Sequence, residues 1–157
     1  MREAVLVRLA TLDDVVAMSR VLTASIVELC GADHHGDAAL IASWTRNKTP
    51  VAVRAMLANA NSSFYVAERD GEVAAVGCVS SDGSIRLNYV APAHRFHGVS
   101  KALLGEMEAA LRARGVTEAG LDSTATAHRF YLAAGWVDDG QPDGQQGVVS
   151  YPMRKRL

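Results

Sequence analysis

The sequence predicts an α/β layer, a single domain over residues 1–157 with a central mixed, mostly antiparallel sheet flanked by helices. Three observations carry this. Runs with apolar residues at helical period alternate with short runs rich in Val, Ile and aromatics. Their order is strand, helices, three strands, helix, strand, helix, strands, which suits a layered sheet. A chain of 157 residues, 49% hydrophobic and 21% charged, can bury one contiguous core and is not of disordered or low-complexity composition. Sixteen basic against seventeen acidic residues leave a net charge of −1, so neither nucleic acid nor an anionic membrane is expected as partner.

The elements follow in order. Val5, Leu6 and Val7 predict a first strand over 4–9. Thr11 opens TLDD, where Asp13 and Asp14 face the positive end of a helix, and Leu12, Val15, Val16, Leu22, Ile26 and Leu29 then recur at helical spacing over 12–29. After Gly31 the polar segment ADHHGD reads as a connector. Residues 38–46, with Trp44, predict a short helix, and Thr49-Pro50 starts another that ends near Asn59. FYVAE, RDGE and VAAVGCV form a hairpin pattern turning at Asp70-Gly71. SDGS turns into the strand IRLNYVAP. Val99, Leu103, Leu104, Met107, Ala110 and Leu111 mark the clearest helix, over 98–114, with Gly115 after it. VTEAGLD predicts a strand, TATAHRFYLAAG a helix ending at Gly135, and WVDD and GVVSYPM two terminal strands.

Cys30 and Cys78 stand without a CxxC pair or a Cys/His ladder, so they read as small buried hydrophobes rather than as a disulfide or zinc scaffold. Asp13 and Asp14 interrupt the opening before an apolar run of signal-peptide length, and nowhere do eighteen apolar residues run together. The expectation is a cytoplasmic protein.

The stretch LNYVAPAHRFHGVSKALL runs from a strand through a basic loop into a helix whose start holds Gly98 and Ser100. Such a junction offers unpaired backbone N–H groups and a positive dipole end to an anion, and glycine lets a phosphate come close. His94, Arg95, His97 and Lys101 add charge or donors there, making a local pyrophosphate cradle.

RFHGVS resembles the RxxGxG/A loop of the GNAT superfamily, the GCN5-related N-acetyltransferases, directly after a strand ending in Val90-Ala91-Pro92. LDSTATAHRFYLAAGW is similar to that family's other motif, with Phe130, Tyr131, Gly135 and Trp136. FYVAERDGEVAAVGCV and VRLATLDDV look like its early elements. The resemblance implies the GNAT fold, an acyl-CoA donor such as acetyl-CoA, and an amine acceptor. It implies that the backbone of Asn88, Tyr89 and Val90 pairs with pantetheine. Arg95 and the N–H groups of Phe96, His97, Gly98, Val99, Ser100 and Lys101 would hold the pyrophosphate. Ser100 departs from the usual Gly or Ala, and Thr124 stands where many relatives carry a pantetheine-binding Asn. Tyr131 is implied as the acid that protonates the leaving thiolate, and the Val90 N–H as the oxyanion donor.

The general base is left open among Glu28, Asp33, His34, His35, Glu68 and Asp122. Asp33, His34, His35 and Asp37 have the chemistry of metal ligands, but adjacent histidines point apart on most backbones, and no metal is expected. The segment 30–37 is expected to line the acceptor side, with Glu28, Asp33 and His34 facing substrate; a basic acceptor would suit Glu28, Asp33 and Asp37. Otherwise the pocket lies around Trp44, Tyr65 and Tyr89. The expected activity is acetyl transfer to a primary amine of a small molecule or peptide. The alternative is a non-catalytic acyl-CoA-binding sensor or interaction module. An aminoacyl-tRNA acceptor is disfavoured by the charge balance. Terminal strands of this family often pair between protomers, which leaves a homodimer open.

Overall fold

The computed structural model describes residues 4–144 and 147–157. Strands β1 (Leu6–Leu9), β2 (Ser62–Arg69), β3 (Glu72–Ser80), β4 (Ser84–Val90), β5 (Glu118–Ser123), β6 (Val137–Asp138) and β7 (Tyr151–Arg156) form one sheet in the order β1-β2-β3-β4-β5-β7-β6. Among the described residues only the β4–β5 pair is parallel. Helices α1 (Val15–Leu29) and α4 (Pro50–Leu57) pack on one face, while α5 (Val99–Ala113) and α6 (His128–Ala133) pack on the other. The short helices α2 (Gly31–His34) and α3 (Ala38–Thr45) attach to α1.

The predicted elements form where their patterns end. Asp70 and Gly71 take the left-handed φ angles of +56° and +73° that the β2–β3 turn requires. In α5, the apolar stripe of Leu103, Met107 and Leu111 is fully buried, each side chain contributing about 1.5–3 kcal/mol through lost contact with water. Gly77 of β3 lies directly beneath it: a Cβ there would stand 2.6 Å from Met107 Sδ and 3.1 Å from Leu103 Cδ1. The absent side chain therefore sets how closely α5 approaches the sheet.

Two boundaries differ from expectation. ADHHGD is not wholly a connector, because Gly31–His34 forms a helical turn. The last strand begins at Tyr151 rather than near Gly147 and runs through Arg154, Lys155 and Arg156. Its basic residues are accommodated because Arg154 pairs with Glu118 and Asp139, while Lys155 Nζ reaches Glu108 at 2.6 Å. Thus β7 lies inside the sheet between β5 and β6.

A charged node ties the first strand to the first helix. Arg8 donates to both oxygens of Asp14 at 2.8 Å and to Glu68 at 3.2 Å. Asp14 also accepts from the Thr11 N–H at 2.7 Å, so the helix start is held by Asp14 reaching back. The Arg8 hydrogen bonds pull the Asp14 carboxyl down to about 2, against the opposing effect of burial. A depressed folded value stabilises the fold above the unfolded value, and that contribution is lost as pH falls from about 4 to 2. Chemical denaturation across this range should show a loss of about 2 kcal/mol from this node. Asp14→Asn should be less stable at neutral pH and should lack this part of the acid dependence; an unchanged acid limb in the variant would contradict the assignment.

Candidate active site

Strands β4 and β5 are paired only at Ser84↔Gly120 and Ile85↔Leu121, and beyond these positions no pairing joins them. The Ala91 N–H donates to Ala74 O at 2.8 Å, which makes Ala75↔Val90 and Gly77↔Asn88 the non-hydrogen-bonded pairs of the β3–β4 ladder. The N–H and C=O groups of Asn88 and Val90 therefore point towards β5, into the gap. Tyr89, which alternates with them, faces β3 with its backbone. This refines the sequence-based expectation: two of the three residues, not all three, offer backbone groups to a ligand in the gap.

A cavity of about 380 Å³ occupies this gap. One end meets the loop before α5. Gly98 precedes α5 with φ +74°, and a Cβ there would meet nothing within 4 Å, so the approach is open. The N–H groups of Val99, Ser100 and Lys101 precede the first intrahelical bond, from Ala102 N to Gly98 O, and face outward as donors. Arg95 lies at the cavity mouth with its guanidinium 4.5 Å from the ring centre of Phe96, which is 89% exposed at φ +63°. His97 is exposed and off the cavity wall.

His94 does not add a donor to this cradle. Its ring is buried, Nδ1 accepts from Arg69 at 3.1 Å and Nε2 donates to Glu72 at 3.0 Å, so both nitrogens are engaged. Thr124, also on the wall, uses its hydroxyl to accept from Ala127 N at 3.0 Å at the start of α6.

Tyr131, on α6, lines the cavity. Burial pushes its phenol up to about 12, with the nearby Asn88 side chain acting in the opposite sense. The phenol therefore keeps its proton throughout the working range of most enzymes. Asn88 Oδ1 is buried without a partner, an acceptor aimed at nothing in the protein. Cys30 is also on the wall, and burial pushes its thiol up to about 12, so it carries no appreciable thiolate at neutral pH.

The segment 30–37 is used differently from expectation. Asp33 is buried and accepts from Ala125 N at 2.6 Å, Thr126 N at 3.2 Å and the Thr126 hydroxyl at 2.5 Å. It fastens α2 to the β5–α6 loop, with three of its roughly four acceptor positions taken by that loop and the residue off the cavity wall. In His34, Nδ1 accepts from Gly36 N and Nε2 donates to Ile26 O at 2.9 Å, so it too is structural. Asp37 caps α3 by accepting from Ala39 N and Leu40 N. Glu28 and His35 are exposed away from the cavity, and Glu68 belongs to the Arg8 node. Of the six base candidates only Asp122 lines the cavity. It is exposed and alternates with Leu121 and Ser123, whose side chains are buried on the α5 and α6 face. Asp122 therefore lies on the α1 side.

This strand divergence beside a glycine-led helix defines the fold of the N-acetyltransferases of the GNAT class. A GCN5-related N-acetyltransferase from Rhodopseudomonas palustris superposes with a TM-score of 0.87 at 19% identity, over 100% of this chain and 98% of that one. The PaiA N-acetyltransferase of Thermoplasma acidophilum, solved with coenzyme A, gives 0.80 at 18%, over 98% and 99%. The ribosomal-protein-S18-alanine N-acetyltransferase of Escherichia coli gives 0.71 at 14%, over 98% and 94%. The model of the acetyltransferase (GNAT) domain matches residues 31–157, and the chain belongs to that family. No curated protein sequence matches it. Among the described residues no helix is long and apolar enough to cross a membrane, and no group of His, Cys, Asp or Glu is placed to hold a metal ion.

Asp33→Ala should lower stability by about 3 kcal/mol in a urea titration, since a charged acceptor is removed and two backbone donors lose their partner. Asp33→Asn should recover part of this. A variant as stable as the parent but impaired only in amine KM would return Asp33 to the substrate side.

Proposed function

We propose that this protein transfers an acetyl group from acetyl-CoA to a primary amine by direct attack. The observation that carries the reading is the gap itself: unpaired Asn88 and Val90 backbone groups lie between an open helix start and a protonated phenol. Pantetheine fits as an added strand against β4, and the unpartnered Asn88 Oδ1 can accept from one of its amides. Arg95 and the N–H groups at the start of α5 suit the pyrophosphate.

In the reaction, nitrogen adds to the thioester carbon, and the Val90 N–H donates to the oxygen on which charge develops. The C–S bond then breaks and Tyr131 gives its proton to the departing sulfur. Asp122 attracts the alkylammonium and passes the proton lost from nitrogen to solvent. Cys30, held as a thiol, is a poor nucleophile, which favours direct transfer over an acylated enzyme.

Gly98→Asp should weaken acetyl-CoA binding by about 100-fold or more in a calorimetric titration, because a carboxylate would face the phosphates and a side chain would strain the positive φ. Unchanged affinity would remove this loop from the donor site. Tyr131→Phe should bind acetyl-CoA normally while thiol release with a competent amine falls about 100-fold. An undiminished rate would leave Tyr131 as packing. Acetyl-CoA binding without thiol release across a broad amine panel would instead identify a binding module.

A further inference from the structure

A second cavity, of about 460 Å³, lies between α3 and the described residues Asp143, Val148 and Ser150 ahead of β7. Ser43, Trp44, Asn47 and Lys48 form one wall, and Asp143 and Ser150 the other. Lys48 is only 7% exposed. Its ammonium donates to Asn47 Oδ1 at 2.6 Å, and among the described residues no carboxylate stands within ion-pair distance. The other buried charged groups are compensated: Asp14 by Arg8, Glu108 by Lys155, and Asp33 by three donors. Burial alone shifts Lys48, lowering its pKa. Removing a cation from water without an opposite charge is costly. The residue is also firmly held, since its carbonyl accepts from the Ser19 hydroxyl at 2.6 Å and the next residue, Thr49, caps α4.

We propose that this cavity binds the carboxylate of the acceptor, with Lys48 Nζ as its counter-ion. Trp44 stands beside both cavities: it lines this one, and its indole lies next to the phenol of Tyr89, which lines the cavity between β4 and β5. An acceptor seated by its carboxylate at Lys48 must extend past Trp44 and Tyr89 to bring its amine to the first cavity, so its class is a peptide, or an amino acid with a side-chain amine, bearing a carboxylate. A single cation on a wall that also carries Asp143 suits a monoanion and disfavours a phosphate dianion. The Ser43 and Ser150 hydroxyls provide further donors. The amine half of this assignment rests on the acetyl-transfer reading; the anion half does not.

The experiment uses the full chain and follows Trp44 emission. Propionate and a set of N-acetyl amino acids are titrated against their matching carboxamides, with inorganic phosphate as a further probe and Trp44→Phe as the control for the signal. Carboxylates should bind at least tenfold more tightly than amides. Lys48→Met should abolish the difference while its Tm equals or exceeds the parent value, because an uncompensated buried charge is removed. Lys48→Gln serves as a second neutral variant should the Met variant fail to fold. In thiol-release assays, amino acids should exceed their carboxamides in kcat/KM only when Lys48 is present. Equal binding of acids and amides, a preference that survives both variants, or tighter binding of phosphate would overturn the proposal. A Lys48-dependent carboxylate preference without turnover of any amine would uphold the anion site and count against acetyl transfer, so the two failures are distinguishable.

Discussion

The divergence of β4 from β5 is the constraint on which the rest of this structure depends. Two parallel strands that stay together satisfy each other's backbone, whereas here the ladder ends after Ile85↔Leu121 and leaves Asn88 and Val90 facing a cavity. Unmet buried backbone groups cost about 1–3 kcal/mol each, so such a gap persists only where water or a ligand meets them. The surrounding parts keep it open. Its lower end is pinned by the short ladder, its α6 side is fastened to α2 by Asp33, and β7 holds β5 from the far side. The gap is thus a built feature of the sheet and not a frayed edge.

Burial of polar groups divides into two kinds in this chain. Asp14, Asp33, His34 and His94 have their hydrogen-bonding capacity absorbed by neighbours, so their chemistry is spent on geometry. Asn88 Oδ1 and the Lys48 ammonium are different, the first without a partner and the second without an opposite charge. Satisfied groups stabilise a fold, while incompletely satisfied ones are where a ligand gains most from binding. The two groups lie in separate cavities, one lined by Tyr89 and the other by Trp44.

Much of this was legible from residue order. The 3.6-residue stripe of α5, the Asp70-Gly71 turn and the RFHGVS loop are local patterns, and local patterns are what a sequence displays directly. The family motif pointed to Tyr131, and the cavity receives it. In the segment 30–37, Asp33 and His34 differ from the sequence reading for a physical reason. A run of Asp and His looks reactive when written out, but whether those side chains are free depends on donors elsewhere. The partners of Asp33 are Ala125 and Thr126, more than ninety residues away, and no periodicity announces them. His94 likewise reads as one more basic residue in a phosphate loop until Arg69 and Glu72 close over both nitrogens.

The sequence by itself determined the α/β class, the positions of nearly all helices and strands, and the two motifs that resemble the GNAT family, because apolar period, turn residues and short motifs act over a few positions. Only the tertiary structure decided which titratable groups remain available: it spent Asp33, His34 and Asp37 on structure, brought Asp122 to the cavity wall, and buried Lys48 without a counter-charge. The reason is that solvation and hydrogen-bond partnership are set by whatever packs around a group. That environment is assembled from distant parts of the chain.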